Sequence, residues 1–150
     1  MKFSLNPSTT SVLHLNLTLG AERKTIFKAF TSAESMKQWW LGDGAQSVTV
    51  KSSPKTGGEW FLQYRTPGGT AVTQEGEWRS VSEDMLVLNL GPDSLHKQDG
   101  GTLVTIELRK GEGGKTLLSL TQEGLADGVA QERQRKEWIA RLDRLSKAVA

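Results

Sequence analysis

The sequence predicts an α+β fold in which a curled, seven-stranded antiparallel sheet wraps one long C-terminal helix. Three observations predict it. Apolar and polar residues alternate in seven short stretches, the period of a strand with one buried face. Turn-like gaps (SPKTGG, TPGG, SED, GPDSLHKQDGG and KGEGG) separate the last six stretches, and gaps of hairpin length join antiparallel neighbours. Only one segment, from about residue 128 to 148, carries an apolar stripe at helical spacing long enough to cover such a sheet.

The first stretch, SVLHLNLTL at residues 11–19, places Leu13, Leu15, Leu17 and Leu19 on one face and His14, Asn16 and Thr18 on the other. AERKTIFKAFTS then changes period, with Ile26, Phe27 and Phe30 at helical spacing around Ala29. A second short helix, AESMKQWW, carries Met36, Trp39 and Trp40 on its apolar side, and Gly42 and Gly44 are expected to stop it in the left-handed conformation. AQSVTVKSS, GEWFLQYRT, TAVTQEGEWRSV, DMLVLNL, TLVTIELR and KTLLSLTQE read as six further strands. Asp127 is the expected N-cap of the last helix, whose stripe includes Trp138, Leu142, Leu145 and Val149.

A twisted sheet of seven strands curls around a single helix and is larger than one helix fills. The expected remainder is an internal cavity, closed at one end by the two short helices. Successive helical residues point about 100° apart. One of Trp39 and Trp40 is therefore expected in the core and the other at the cavity rim.

Residues 1–150 read as one domain, with a core from about 11 to 148. Nineteen basic and 17 acidic residues leave a net charge of +2, too little for a nucleic-acid partner without an arginine-aromatic stripe. The absence of cysteine excludes disulfides, thiolate metal sites and a cysteine nucleophile. No apolar run is long enough to span a membrane. The opening MKFSLNPSTTS is too polar for a signal peptide, so a cytoplasmic protein is expected.

Strand parity gives the inward faces. They are apolar except for Tyr64, Gln74 and Gln122, and no carboxylate, histidine or lysine falls among them. The final helix adds Arg135, upstream of Trp138, so its N-terminal half faces solvent or the polar end of the cavity. The candidate ligand-binding residues are Trp40, Trp60, Leu62, Tyr64, Gln74, Trp78, Leu88, Gln122, Arg135 and Trp138. General acid-base catalysis needs a titratable group in the site, and nucleophilic catalysis needs a nucleophile with its base. The inward list offers neither, so no catalytic residue, metal or cofactor is expected. His14 falls on a polar strand face and His96 in a loop, neither with a partner at catalytic or metal spacing. GEGGKT at residues 111–116 lacks the first P-loop glycine and precedes a strand, so it reads as a hairpin turn.

IFKAFTSAESMKQWW, GGEW at 57–60, GEW at 76–78 and EWIARLDRL at 137–145 together resemble the SRPBCC superfamily (START, Bet v 1-like). Within it they are most similar to the branch of the activator of Hsp90 ATPase homologue, AHSA1. The resemblance covers roughly residues 11–148 and implies the helix-grip fold. Three positions depart from the family pattern: Gln122 stands where members often have histidine, Glu137 where they have glycine, and Ala33 where they have proline. The resemblance implies a cavity for a small hydrophobic or amphipathic molecule, and hence a non-catalytic carrier or sensor, with a role in stress response among the family associations. A protein-interaction module, chaperone-related by the family's association, is the second reading. A cyclase- or dehydratase-like enzyme using Tyr64 and Arg135 with water is the third. A monomer or weak dimer is expected.

Overall fold

A computed structural model describes residues 12–150. Strand β1 (Leu13–Leu19) leads into helices α1 (Arg23–Thr31) and α2 (Ala33–Trp39). Strands β2 (Gln46–Ser52), β3 (Glu59–Arg65), β4 (Ala71–Val81), β5 (Met85–Leu90), β6 (Thr102–Lys110) and β7 (Thr116–Glu123) follow, and helix α3 (Gly128–Val149) ends the chain. The sheet order is β1-β7-β6-β5-β4-β3-β2, with antiparallel pairing throughout. Strands β2 to β7 form a meander. The first strand closes on the last, which leaves β1 and β2 at opposite edges. Helices α1 and α2 carry the chain from one edge to the other, and both pack against α3.

The strands put the expected parity inward. Trp60 and Leu62 of β3, Val72 and Trp78 of β4, Leu86, Leu88 and Leu90 of β5, and Leu118, Leu120 and Gln122 of β7 are all buried. Two bulges break the ladder, between Gln46 and Thr49 and between Trp78 and Ser80. The GGEW and GEW segments meet across the sheet. Trp60 pairs with Gly76, the Gly57 N–H donates to the Trp78 carbonyl at 2.7 Å, and the Trp78 N–H donates to the Gly58 carbonyl at 2.9 Å. Any side chain at Gly76 would meet the Asn89 carbonyl at 2.6 Å and the Trp60 ring at 3.4 Å, so glycine here makes room for the indole.

Helix α3 begins where Asp127 accepts a hydrogen bond from the Ala130 N–H at 2.8 Å, the N-cap arrangement expected of it. Trp138, Arg141, Leu142 and Leu145 form its buried stripe, at the i, i+3, i+4, i+7 spacing of one helical face.

Helix α2 does not end as expected. Neither Gly42 nor Gly44 has a positive φ. The helix finishes with Trp40 still in helical conformation. Its last carbonyls are capped instead by a side chain from α3: Arg144 donates to Trp39 O at 2.8 Å and to Trp40 O at 3.0 Å. Gly44 serves packing, since a Cβ there would sit 2.7 Å from the Pro67 ring.

Candidate ligand site

The two tryptophans that end α2 are both buried, Trp39 at 1% and Trp40 at 3% exposure, which corrects the expectation of one core and one rim indole. The reason is that α2 is sandwiched between α3 and the sheet, so both directions its last turn can point lead inward. Trp39 packs edge-on to Phe30 at 4.8 Å and donates its indole N–H to Ala29 O at 2.9 Å. Trp40 enters an indole stack, 5.2 Å from Trp60 and 5.2 Å from Trp138, ring centre to ring centre. These rings occupy the space where a large apolar cavity was expected.

A charge lies inside that stack. The Arg141 guanidinium sits 4.5 Å from the Trp40 ring centre and 4.8 Å from that of Trp138, and the residue is only 9% exposed. Cation–π contact with two indoles stabilises such a charge. Such contact does not satisfy the guanidinium N–H groups, which need acceptors of their own. Arg141 Nη1, Trp40 Nε1 and Trp60 Nε1 are all buried without an acceptor among the described residues. The other three indoles are paired: Trp39 as above, Trp78 with Ser52 Oγ at 3.1 Å, and Trp138 with Gln122 Oε1 at 2.9 Å. Burial pulls the Arg141 pKa below the ordinary guanidinium value, with Glu137 opposing the shift and Arg144 adding to it. Tyr64, half-buried nearby, is pushed above its ordinary 10.0 by burial first, then by Asp93 and Glu137, against the pull of Arg141.

At the open end of the sheet a small polar chamber remains. Gln74, Leu90, Asp93, His96, Thr102, Gln122 and, from α3, Ala130, Arg133 and Gln134 help to line it. Its volume is about 20 Å³, room for about one water molecule. Gln122 spans the wall, donating to Thr102 Oγ1 at 3.0 Å while accepting from Trp138, and so links chamber to stack. Gln74 donates to Gly91 O at 2.8 Å. The loop between β5 and β6 folds back over the opening. Asp99 pairs with Arg133, and His96 Nδ1 lies 2.9 Å from Asp93 Oδ1. His96 therefore has the carboxylate partner that the sequence did not reveal, because a three-residue turn brings the two together.

The candidate residues divide into three groups. Trp40, Trp60 and Trp138 share the stack, and Gln74 and Gln122 line the chamber. Leu62, Trp78 and Leu88 belong to the surrounding core, and Tyr64 packs partly buried against it. Arg135 is half-buried and lines no part of the chamber, whose helix side is Ala130, Arg133 and Gln134. The buried cation is Arg141, which the sequence reading passed over. The signal was its position three residues after Trp138 and one before Leu142, inside the apolar stripe. Among the described residues no group of three or more His, Cys, Asp or Glu side chains could hold a metal ion. Among them also no helix is long and apolar enough to cross a membrane.

A curled antiparallel sheet closed on a C-terminal helix, with two short helices after the first strand, defines a helix-grip domain of the SRPBCC type. The family model described as activator of Hsp90 ATPase homolog 1-like protein matches residues 20–150, and the chain belongs to that family. No curated protein matches the sequence. Among solved structures, a protein from Chromobacterium violaceum is similar at TM-score 0.82 and 20% identity, over 93% of this chain and 96% of that one. One from Rhodobacter sphaeroides is similar at TM-score 0.78 and 21% identity, over 94% and 93%. The Aha1 dimer from Colwellia psychrerythraea is similar at TM-score 0.70 and 16% identity, over 92% and 95%. These likenesses establish the fold. The family is one of ligand-binding or interaction modules in general.

Proposed function

We propose that the chain is a non-catalytic, cytoplasmic binding module for a small amphipathic molecule, working as one domain. The observation that supports this most is the set of three buried donors without acceptors, Arg141 Nη1, Trp40 Nε1 and Trp60 Nε1, in an interior whose other indole N–H groups are paired. Buried donors in proteins are nearly always satisfied, and a ligand can supply the missing acceptors. Access runs from the polar chamber inward. The N-terminal half of α3 is held there by polar contacts, Arg133 to Asp99 and Gln131 Nε2 to Val12 O at 2.7 Å, whereas Trp138 to Leu145 anchor the other half in the core. Polar, solvent-near contacts open at lower free energy than a packed core. Binding would therefore lift this end of α3 from the loop and let the ligand's apolar part lie against Trp60, Leu62 and Leu88.

An enzymatic reading is weaker. His96 is held by Asp93, but the chamber beside it has room for about one water molecule and not for a substrate. An interaction module loses the anchor it would have had in an exposed tryptophan, since all five are buried.

The test is native mass spectrometry of freshly purified protein, together with tryptophan quenching by a panel of medium-chain amphiphiles. A retained small molecule, or saturable quenching at micromolar to sub-millimolar concentration, is the expected result. A bare mass and no saturable quenching by any member would refute the reading.

A further inference from the structure

We infer that the group Arg141 holds is a carboxylate, so that the ligand is a small amphipathic acid. This rests on the binding reading above and goes beyond it by fixing the ligand's charge and its anchor.

The first argument is charge balance. Arg141 has no carboxylate within 4 Å among the described residues, whose ion pairs are Lys37–Glu34, His96–Asp93, Arg133–Asp99 and Lys147–Asp143. Residues 1–11 contain neither aspartate nor glutamate and cannot supply one. Besides the Tyr64 phenol, the acidic groups whose fields reach Arg141 are the carboxylates of Glu137 and Asp93, and both are engaged elsewhere. Glu137 Oε2 accepts from Gln134 at 3.1 Å, and Asp93 Oδ1 accepts from the Leu95 N–H at 2.8 Å and faces His96. The nearby basic group, Arg144, adds positive charge while it caps α2. A buried cation in such surroundings lacks its counter-ion.

The second argument is shape. Trp40 and Trp138 stand nearly perpendicular to each other, at 78°, and both close in on the guanidinium from one side. Its Nη1 is buried and has no partner among the described residues, and the planar group that matches the guanidinium N–H donors is a carboxylate. The Trp40 and Trp60 indole N–H groups lie in the same stack and are donors, which serve an anion and do nothing for a cation.

The experiment compares octanoate with octanol on the full-length protein labelled with ¹⁵N, read by tryptophan fluorescence and by the indole N–H resonances. Octanoate is expected to bind at least about tenfold more tightly than octanol, as charge-assisted hydrogen bonds to a buried group allow. It should shift the Trp40 and Trp60 indole signals more than that of Trp78. Arg141→Met should bring the two affinities within about twofold, and Arg141→Lys should keep part of the preference. Equal binding of acid and alcohol by the native protein would overturn the inference and leave the binding reading standing. So would a preference for the acid that survives in Arg141→Met. If neither compound binds, the inference falls, and the binding reading is decided by the mass spectrum and the wider panel. The native comparison needs no variant, so a poorly folding Arg141→Met does not blunt the test.

Discussion

Replacing each tryptophan with phenylalanine should sort four of the five into two classes, although all four are equally buried. Each replacement removes part of an indole and leaves a void of roughly 40 Å³, which costs about 1 kcal/mol at ~24 cal/mol per Å³. What differs is the N–H that disappears with it. Trp39 and Trp138 donate to Ala29 O and Gln122 Oε1, both at 2.9 Å. Their loss orphans a buried acceptor, which adds about 1–3 kcal/mol. Trp39→Phe and Trp138→Phe should therefore cost about 2–4 kcal/mol in total. Trp40 and Trp60 donate to nothing among the described residues. Removing an unsatisfied buried donor recovers about 1–3 kcal/mol, which offsets or exceeds the void. Trp40→Phe and Trp60→Phe should be neutral, or more stable by up to about 2 kcal/mol.

Urea melts of the unliganded variants, analysed at a common m-value, measure these differences. Protein purified through a denaturing step and refolded excludes any retained ligand. If Trp40→Phe and Trp60→Phe lost as much stability as Trp39→Phe and Trp138→Phe, their N–H groups would already have partners. The account of the stack as a set of open donors would then be wrong.

The chain has a single tyrosine, so tyrosinate absorbance at 295 nm reports Tyr64 alone. Its midpoint in the native protein should lie above the ordinary 10.0 and fall back to it in denaturant. Because the fold favours the neutral phenol, this contribution to stability is present below the unfolded value and is lost as pH rises through the folded one; Tyr64→Phe should remove that loss. A native midpoint at or below 10.0 would contradict the burial that raises it. At the GGEW turn, Gly58→Ala puts a Cβ 1.8 Å from the Ser53 carbonyl, a backbone atom that cannot yield, and should cost 3 kcal/mol or more on the scale of about 4–5 kcal/mol for severe clashes. Gly57→Ala meets nothing within 4 Å and bears only its φ of +81°, a strain of about 1–2 kcal/mol. Thermal melts should rank the two accordingly, and the reverse order would mean that the turn is not built as described.

The sheet and the long helix were legible because their signals are local. Period-two alternation placed Trp60, Trp78, Leu88 and Gln122 on the inner face, and the Asp127 cap marked where α3 starts. Three features were not legible, and each depends on how the chain is arranged in space and not on local period. The end of α2 looked like a matter for Gly42 and Gly44, but its carbonyls are satisfied by Arg144, more than a hundred residues away. His96 appeared without a partner because a loop conformation, not a spacing rule, brings Asp93 to it. Arg135 and Arg141 are both arginines on the same helix. Both stand three residues from Trp138, so position along the helix decides between them: Arg141 is on the turn that meets Trp40, and Arg135 is about two turns nearer the N-terminus and half-buried. The interior volume was misjudged for another reason. Counting strands and helices measures the container, whereas five large indoles and Phe30 set how much of it is filled.

Stability and binding draw on the same atoms in this interior. The stack of Trp40, Trp60 and Trp138 around Arg141 packs densely, yet it retains three donors whose desolvation nothing described here repays. A chain selected for stability alone would favour phenylalanine at 40 and 60 and an apolar residue at 141, as replacements of buried ionic groups commonly show. The same three changes would remove every open donor of the stack that an oxyanion could use. A ligand that supplied the acceptor would stabilise the native state by RT ln(1 + [L]/Kd), about 2.7 kcal/mol at a hundredfold excess over Kd. Native protein should thus gain melting temperature with octanoate, while a Trp40→Phe, Trp60→Phe double variant should start more stable and gain less. A double variant that gained as much as native protein would separate the two roles and place the binding determinant outside the stack.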